Sequence, residues 1–293
     1  MTIARVEGYT HLSGSDLQQP GESEVFHDLP DTETLAWAAA DLIRRGSRVL
    51  DLGSGGGAAT ASFIRSGAAG AHGFDISPHS VRWAMQTYAA AAPRVSFSVL
   101  DFLGATTEEL LAQWPLDDPP TLVASNPPYV PCAVTDDPRL RSSNGGPDGL
   151  AFLPAVLAHA GHLGADLGLV LGSYSNLPRA GALLADAELG ITSLTLTPVR
   201  FGAYSKQSWE LILGMEREGR AAVWRPGGNE ADAGYLAVGI AATRDAPVLP
   251  ADALHAIVAR ACASATSRLE ALDAQPPSEV AVRVVDVSHN PGG

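Results

Sequence analysis

The sequence predicts an α/β fold: a mainly parallel sheet with helices on both faces and an antiparallel edge. Three observations carry this. Short apolar runs alternate with helical stretches from residue 31 to about residue 187. A glycine-rich stretch, "VLDLGSGGG" (residues 49–57), joins the first run to its helix. After residue 190, strand-like runs follow one another without helices of crossover length.

The elements follow in order. Residues 1–30 are polar, with Gly, Ser and Gln, and show no period. From Asp31 a helix is expected, because Leu35, Ala38, Ala39 and Leu42 share one face and Gly46 follows as a stop. Arg48–Leu52 is a strand, Ala58–Arg65 a helix closed by Gly67, and Ala71–Ile76 the next strand. Ser77-Pro78 opens a helix with a hydroxyl cap and a proline in the first turn. Val95–Leu100 is a strand, and Thr106 with Glu109 spells a capping box. Thr121–Ser125, Ala151–His162, Gly168–Ser173 and Pro178–Ala187 continue the alternation. Ile191–Val199, Ala221–Trp224 and Tyr235–Ala242 are strand-like. Pro250–Leu272 is expected to be one long helix, and "EVAVRVVDV" a last strand. This divides the chain into a lid-like segment (1–30), a main domain (31–245) and a C-terminal helix and tail packed on it (246–293).

Composition narrows the function. With 293 residues, 46% of them hydrophobic, the chain can bury a large core. The net charge of −13 argues against a nucleic-acid partner, because phosphate binding needs clustered Lys and Arg. Cys132 and Cys262 lack metal spacing and read as reduced thiols, with a disulfide left open. No signal-like or membrane-spanning run occurs, so a soluble cytoplasmic protein without a membrane partner is expected. His159 and His162 read as helix surface or packing, and no metal site is expected.

The glycine loop is the first candidate site. Gly53, Gly55 and Gly57 let the backbone turn tightly at the end of the first strand, where such sheets bind ligands. Asp75 ends the next strand and suits a ribose diol. Asp51 stands immediately before the glycines, where it would repel a pyrophosphate but welcome a cationic amino-acid moiety. That selects S-adenosylmethionine over a nicotinamide nucleotide. Asp101 and Phe102, ending the third strand, would lie near adenine, although Phe102 reads equally well as core.

"ASNPPYVP" (124–131) ends the fourth strand in a rigid plug, since proline cannot continue a ladder. With "VLDLGSGGG", "GFDIS" and "LDF", the chain resembles class I methyltransferases; "NPPYVP" and "GGPDGL" (145–150) resemble the HemK/PrmC-like glutamine N5-methyltransferases. "DLPDTETL" is similar to the stretch those enzymes carry before the sheet, with Leu29 where arginine often stands. The resemblance covers about residues 25–215. It implies a Rossmann-like, seven-stranded sheet and methylation at a nitrogen, with Asp51, Gly53, Gly55, Gly57, Asp75, Ile76, Asp101, Phe102 and Asn126 around the cofactor. Asn126 and the Pro127 carbonyl would accept N–H bonds from the acceptor and aim its lone pair at the methyl group, while Tyr129 stacks on it.

Only 48 residues precede Val49, too few for the helical substrate-gripping domain of release-factor enzymes. The expected acceptor is therefore a small molecule or peptide. The alternatives are glutamine methylation of a protein such as a release factor, base N-methylation, attack on the cofactor's other electrophilic carbon releasing methylthioadenosine, and a silent binding module. Residues 1–30, with Tyr9, His11, Val25 and Phe26, and the Pro-, Asp- and Gly-rich stretch 131–150 are expected to fold over the site as a lid. Nothing in the sequence fixes an oligomeric state.

Overall fold

The computed structural model describes residues 3–21, 25–132, 142–264, 269–274 and 280–288. The chain opens with β1 (Ala4–Glu7) and α1 (Leu29–Ala40). Next come β2 (Arg48–Leu52), α2 (Ala58–Arg65), β3 (Gly70–Asp75), α3 (Pro78–Thr87), β4 (Val95–Val99) and α4 (Thr107–Ala112). The alternation continues through β5 (Leu122–Ser125), α5 (Leu153–Leu163), β6 (Asp166–Gly172) and α6 (Leu177–Asp186). β7 (Gly190–Arg200) then leads through α7 (Ala203–Gln207) and α8 (Trp209–Arg217) to β8 (Gly234–Thr243). The chain closes with α9 (Ala253–Cys262), α10 (Ala271–Ala274) and β9 (Ala281–Asp286).

The strand order is β1-β9-β7-β8-β6-β5-β2-β3-β4. Neighbours run parallel except at β8, which is antiparallel to both β6 and β7. The fold is thus the expected helix-flanked, mostly parallel sheet, with nine strands rather than seven among the described residues. The extra pair is β9 beside β7 and β1 beside β9, with Ala4 opposite Arg283. β1 lies in the stretch read as aperiodic. Four residues are too few to display a period, and the partner strand lies near the other end of the chain.

Two other expectations need correction. Ala221–Trp224 is not a strand; it holds a single bridge, Trp224 to Gly234. The helix expected over Pro250–Leu272 ends at Cys262, and Leu269 sits at φ 52°, a left-handed conformation that cannot extend a right-handed helix.

One contact in the core matters for the site. α1 lies across β6, β7 and β8 with Leu35, Ala38, Ala39 and Leu42 buried. Each such leucine contributes about 2 kcal/mol of apolar burial. The helix approaches closely because the sheet offers glycines beneath it: a Cβ on Gly239 would stand 2.8 Å from the Thr34 carbonyl, and one on Gly168 3.3 Å from Ala39. At the helix start, Asp28 caps by accepting from the Asp31 N–H at 3.1 Å, and Pro30 fixes the first turn. These features hold Asp28 and Asp31 at the C-terminal end of the parallel strands, beside Asn126 and Tyr129.

Candidate active site

β2 is buried and ends in the glycine loop, where Gly53, Gly55 and Gly57 all take positive φ. The Gly53 and Ser54 N–H groups donate to the Phe74 carbonyl at 2.8 and 2.9 Å, tying the loop to β3. Asp75 accepts from the Gly55 N–H and the Ser77 N–H, each at 2.8 Å. It therefore shapes the loop as well as presenting a carboxylate. Gly57 has a packing role, since a Cβ there would stand 2.7 Å from Phe97 and 2.8 Å from Ala84.

Asp51 is buried, with one oxygen accepting from Thr60 Oγ1 at 2.5 Å and the other without a partner. Burial pushes its carboxyl up to about 7, against the opposing Thr60 hydrogen bond and with help from Asp75. The Ser54 hydroxyl nearby is also unpartnered. Both residues line a narrow cavity of about 30 Å³ shared with Asp16, Phe26, His27 and Asn126. Beyond Asp75 the chain is exposed: Ile76 is 60% exposed, Val99 opposite Asp75 on β4 is exposed, and so are Asp101 and Leu103 further along. Phe102, by contrast, is buried; it lies against Gly53, and its carbonyl accepts from His159 Nε2 at 2.9 Å. His159, expected at a helix surface or in packing, is the buried brace of this corner, with Thr107 on its other nitrogen at 3.0 Å.

This arrangement fits S-adenosylmethionine on three counts. The orphaned Asp51 oxygen suits an ammonium, the glycine cradle suits an approaching amino-acid moiety, and the exposed Ile76 and Val99 flank Asp75 where a nucleoside would lie.

β5 runs straight into Asn126, whose Oδ1 is buried without a partner. Pro127 and Tyr129 are buried behind it. The segment "GGPDGL" braces this turn. Val130 and Ser143, and Gly145 and Val130, exchange backbone hydrogen bonds of 2.9 and 2.8 Å. A Cβ on Gly145 would meet Tyr129 Cα at 2.6 Å, and one on Gly149 the Tyr129 carbonyl at 2.5 Å. The glycines therefore let a second loop back directly onto the clamp.

Beyond Asn126 a second cavity opens, about 170 Å³ in volume. Its walls include Asp28, Asp31, Tyr129, Tyr174, Arg200 and Tyr235, with Phe26 and Asn126 shared between the two cavities. The Tyr129 hydroxyl donates to Asp31 and lies 3.3 Å from the Tyr235 hydroxyl. Burial holds the Asp31 carboxyl well above the usual range, reinforced by Asp28 and opposed by hydrogen bonding from Tyr129, Asn126 and Tyr235. Asp28 is raised as well, again by burial. In the sequence, Asp28 and Asp31 stand out only as part of "DLPDTETL", and nothing there points to a carboxyl, or to Tyr174 and Tyr235, on the acceptor side. Their meeting depends on the packing of α1 over β6 and β8, which no local pattern encodes.

The N-terminal segment covers the first cavity. Val25 and Phe26 lie on Gly55 and Gly56, and Thr10, His11 and Leu12 are lashed to the buried Glu33. Of the 131–150 stretch, Ser142 and Ser143 line the second cavity, while 133–141 fall outside the described residues. Cys132 and Cys262 are free and buried. Among the described residues, no group of side chains could hold a metal ion, and no helix is long and apolar enough to cross a membrane.

Residues 49–111 match the family described as "Methyltransferase domain". The match runs from β2 into α4 and holds every expected cofactor residue except Asn126. No curated protein matches the chain. Solved structures do. The ribosomal protein L11 methylase of Lactobacillus delbrueckii subsp. bulgaricus is 16% identical, covering 78% of this chain and 90% of that one, at a TM-score of 0.42. An S-adenosylmethionine-dependent methyltransferase of Thiobacillus denitrificans, in complex with S-adenosylhomocysteine, is 19% identical over 75% and 94%, at 0.41. Residues 49–111 thus match a methyltransferase domain, and the geometry there fits S-adenosylmethionine as its cofactor.

Proposed function

We propose that the protein methylates a nitrogen of a small molecule or a flexible peptide side chain, in the manner its HemK/PrmC-like Asn-Pro-Pro-Tyr motif implies. One observation carries this reading: Asn126 lines both cavities, and its buried Oδ1 lacks a partner. An acceptor N–H would satisfy it, and a nitrogen held there sits at the junction between the cofactor side and the acceptor side.

When bound, S-adenosylmethionine supplies an electrophilic methyl group on a sulfonium. The chain's own residues supply orientation. Asn126 takes an N–H of the acceptor and turns its lone pair, Pro127 and Pro128 hold the backbone that carries Asn126, and the Tyr129 ring walls the pocket. Phe26 and His27 form part of the wall of the first cavity. The charge of −13 and the modest acceptor cavity both weigh against a nucleic-acid substrate. The two free cysteines fit a reducing cytoplasm.

The test uses S-adenosylmethionine with a ¹³C methyl group and three acceptors: an alkylamine, a glutaminyl peptide and a nucleobase. We expect label on nitrogen of the amine or the peptide, with S-adenosylhomocysteine as the second product. Asn126→Ala should reduce turnover by roughly 10²-fold while cofactor affinity stays nearly unchanged. Release of methylthioadenosine, or equal losses of turnover and cofactor affinity in the variant, would contradict the reading.

A further inference from the structure

We propose that the second cavity is a site for an alkylammonium group, and that Asp31 takes its proton so that the amine nitrogen can be methylated beside Asn126. This rests on the methyl-transfer reading of the same site and names its substrate class.

Asp31 is 3% exposed and lines the cavity; the Tyr129 hydroxyl donates to its Oδ2, the Asn126 and Tyr235 side chains stand close by, and Oδ1 has no hydrogen bond of normal geometry. A buried, half-satisfied carboxyl calls for a donor, and a charged donor satisfies it best. Asp28 adds a second carboxyl to the same wall. Three tyrosine rings complete the enclosure, with centroids 5.9 Å apart for Tyr129–Tyr174 and 4.7 Å for Tyr174–Tyr235. Aromatic faces attract cations, most strongly where water is excluded.

The groups that face Asp31 point the same way. α1 contributes Asp28, with His27 just ahead of it; the clamp contributes Tyr129, the chain after β6 Tyr174, and β8 Tyr235. Arg200 from β7 is the wall's guanidinium, and it is engaged with Asp232 and the Trp224 ring. The cavity is therefore lined by carboxyls and aromatic rings, and a neutral amide would leave the open Asp31 oxygen without a charged donor.

The chemistry balances. An ammonium RNH₃⁺ passes one proton to the Asp31 carboxylate and becomes RNH₂. The freed lone pair forms the N–CH₃ bond as the S–CH₃ bond breaks, its electrons remaining on sulfur, so the sulfonium becomes a thioether and the positive charge moves to nitrogen. The proton on Asp31 leaves to water with the product. Burial, by raising the carboxyl, narrows its mismatch with an ammonium.

Calorimetry on the full chain without cofactor tests this, with n-butylamine and its uncharged counterpart butyramide as probes. Butylamine should bind at least tenfold more tightly than butyramide. Asp31→Asn should lose at least tenfold for the amine and little for the amide. Should Asp31→Asn not fold, the preference for butylamine over butyramide decides on the unaltered chain. Butyramide binding equally or better, or butylamine affinity unchanged in Asp31→Asn, would overturn the proposal. Methylation of a carboxamide but not of butylamine would remove it and leave the methyl-transfer reading standing. Failure of methyl transfer to every acceptor would fall on that reading, because amine binding is measured without the cofactor.

Discussion

Asp51 is a buried carboxyl whose ionised form is costly to the fold and, on the proposed reading, wanted by the ligand. Its folded value lies near 7, against 3.8 for an ordinary aspartate. As pH rises from about 4 to about 7, the unfolded chain gives up this proton while the folded chain keeps it. Folding is therefore disfavoured by an amount that grows to on the order of 4 kcal/mol and then stays level. A ligand ammonium wants the ionised form, so cofactor affinity should fall about tenfold per pH unit below 7. Asp51→Asn should bind weakly and without this dependence. Calorimetry between pH 5 and 8 checks it; a flat profile in the unaltered protein would assign the ammonium to another group. Asp51, the glycines and Asn126 were legible in the sequence because each stands at the end of a recognisable strand. Asp31 was not, because its meaning comes from Tyr129 and Tyr235, residues brought to it only by packing.

Among the elements, α1 links the cover to the core. Glu33 is buried and accepts from the Thr10 N–H and hydroxyl at 2.8 Å each, the His11 N–H at 3.1 Å and the Leu12 N–H at 3.2 Å. Burial pushes its carboxyl up, but hydrogen bonding from the His11 side chain together with these bonds outweighs burial and holds it below its usual value. The stabilisation is thus present above the ordinary glutamate range and fades as pH falls through the depressed folded value. Glu33→Ala should cost about 3 kcal/mol, as several charge-assisted bonds are lost and donors stranded. Hydrogen exchange should quicken across residues 9–18, and cofactor affinity should drop with it. A variant with unchanged exchange there would mean the strap is held by Asp16, which accepts from Arg65 at 2.5 Å and Tyr88 at 2.7 Å. The sequence showed β2, α2, the Ser77 cap and the Thr106 capping box within a residue or so, because local chemistry sets them. It did not show β1, whose pairing is a long-range event.

At the scale of the whole molecule, the parallel sheet brings two cavities to the C-terminal ends of its strands, and Asn126 stands between them. One side offers Asp51 and the glycine loop; the other offers Asp31 and the tyrosines. The two walls come from different kinds of information. The cofactor side is written along residues 49–102, whereas the acceptor side is assembled from α1, the clamp, the chain after β6, and β8. A crystal structure of the protein with S-adenosylhomocysteine is the decisive check. We expect the homocysteine moiety against Asp51 and the glycine loop, the ribose at Asp75, the sulfur facing Asn126, and the tyrosine-lined cavity open on the far side. A ligand bound elsewhere, or bound with its sulfur turned away from Asn126, would contradict this arrangement.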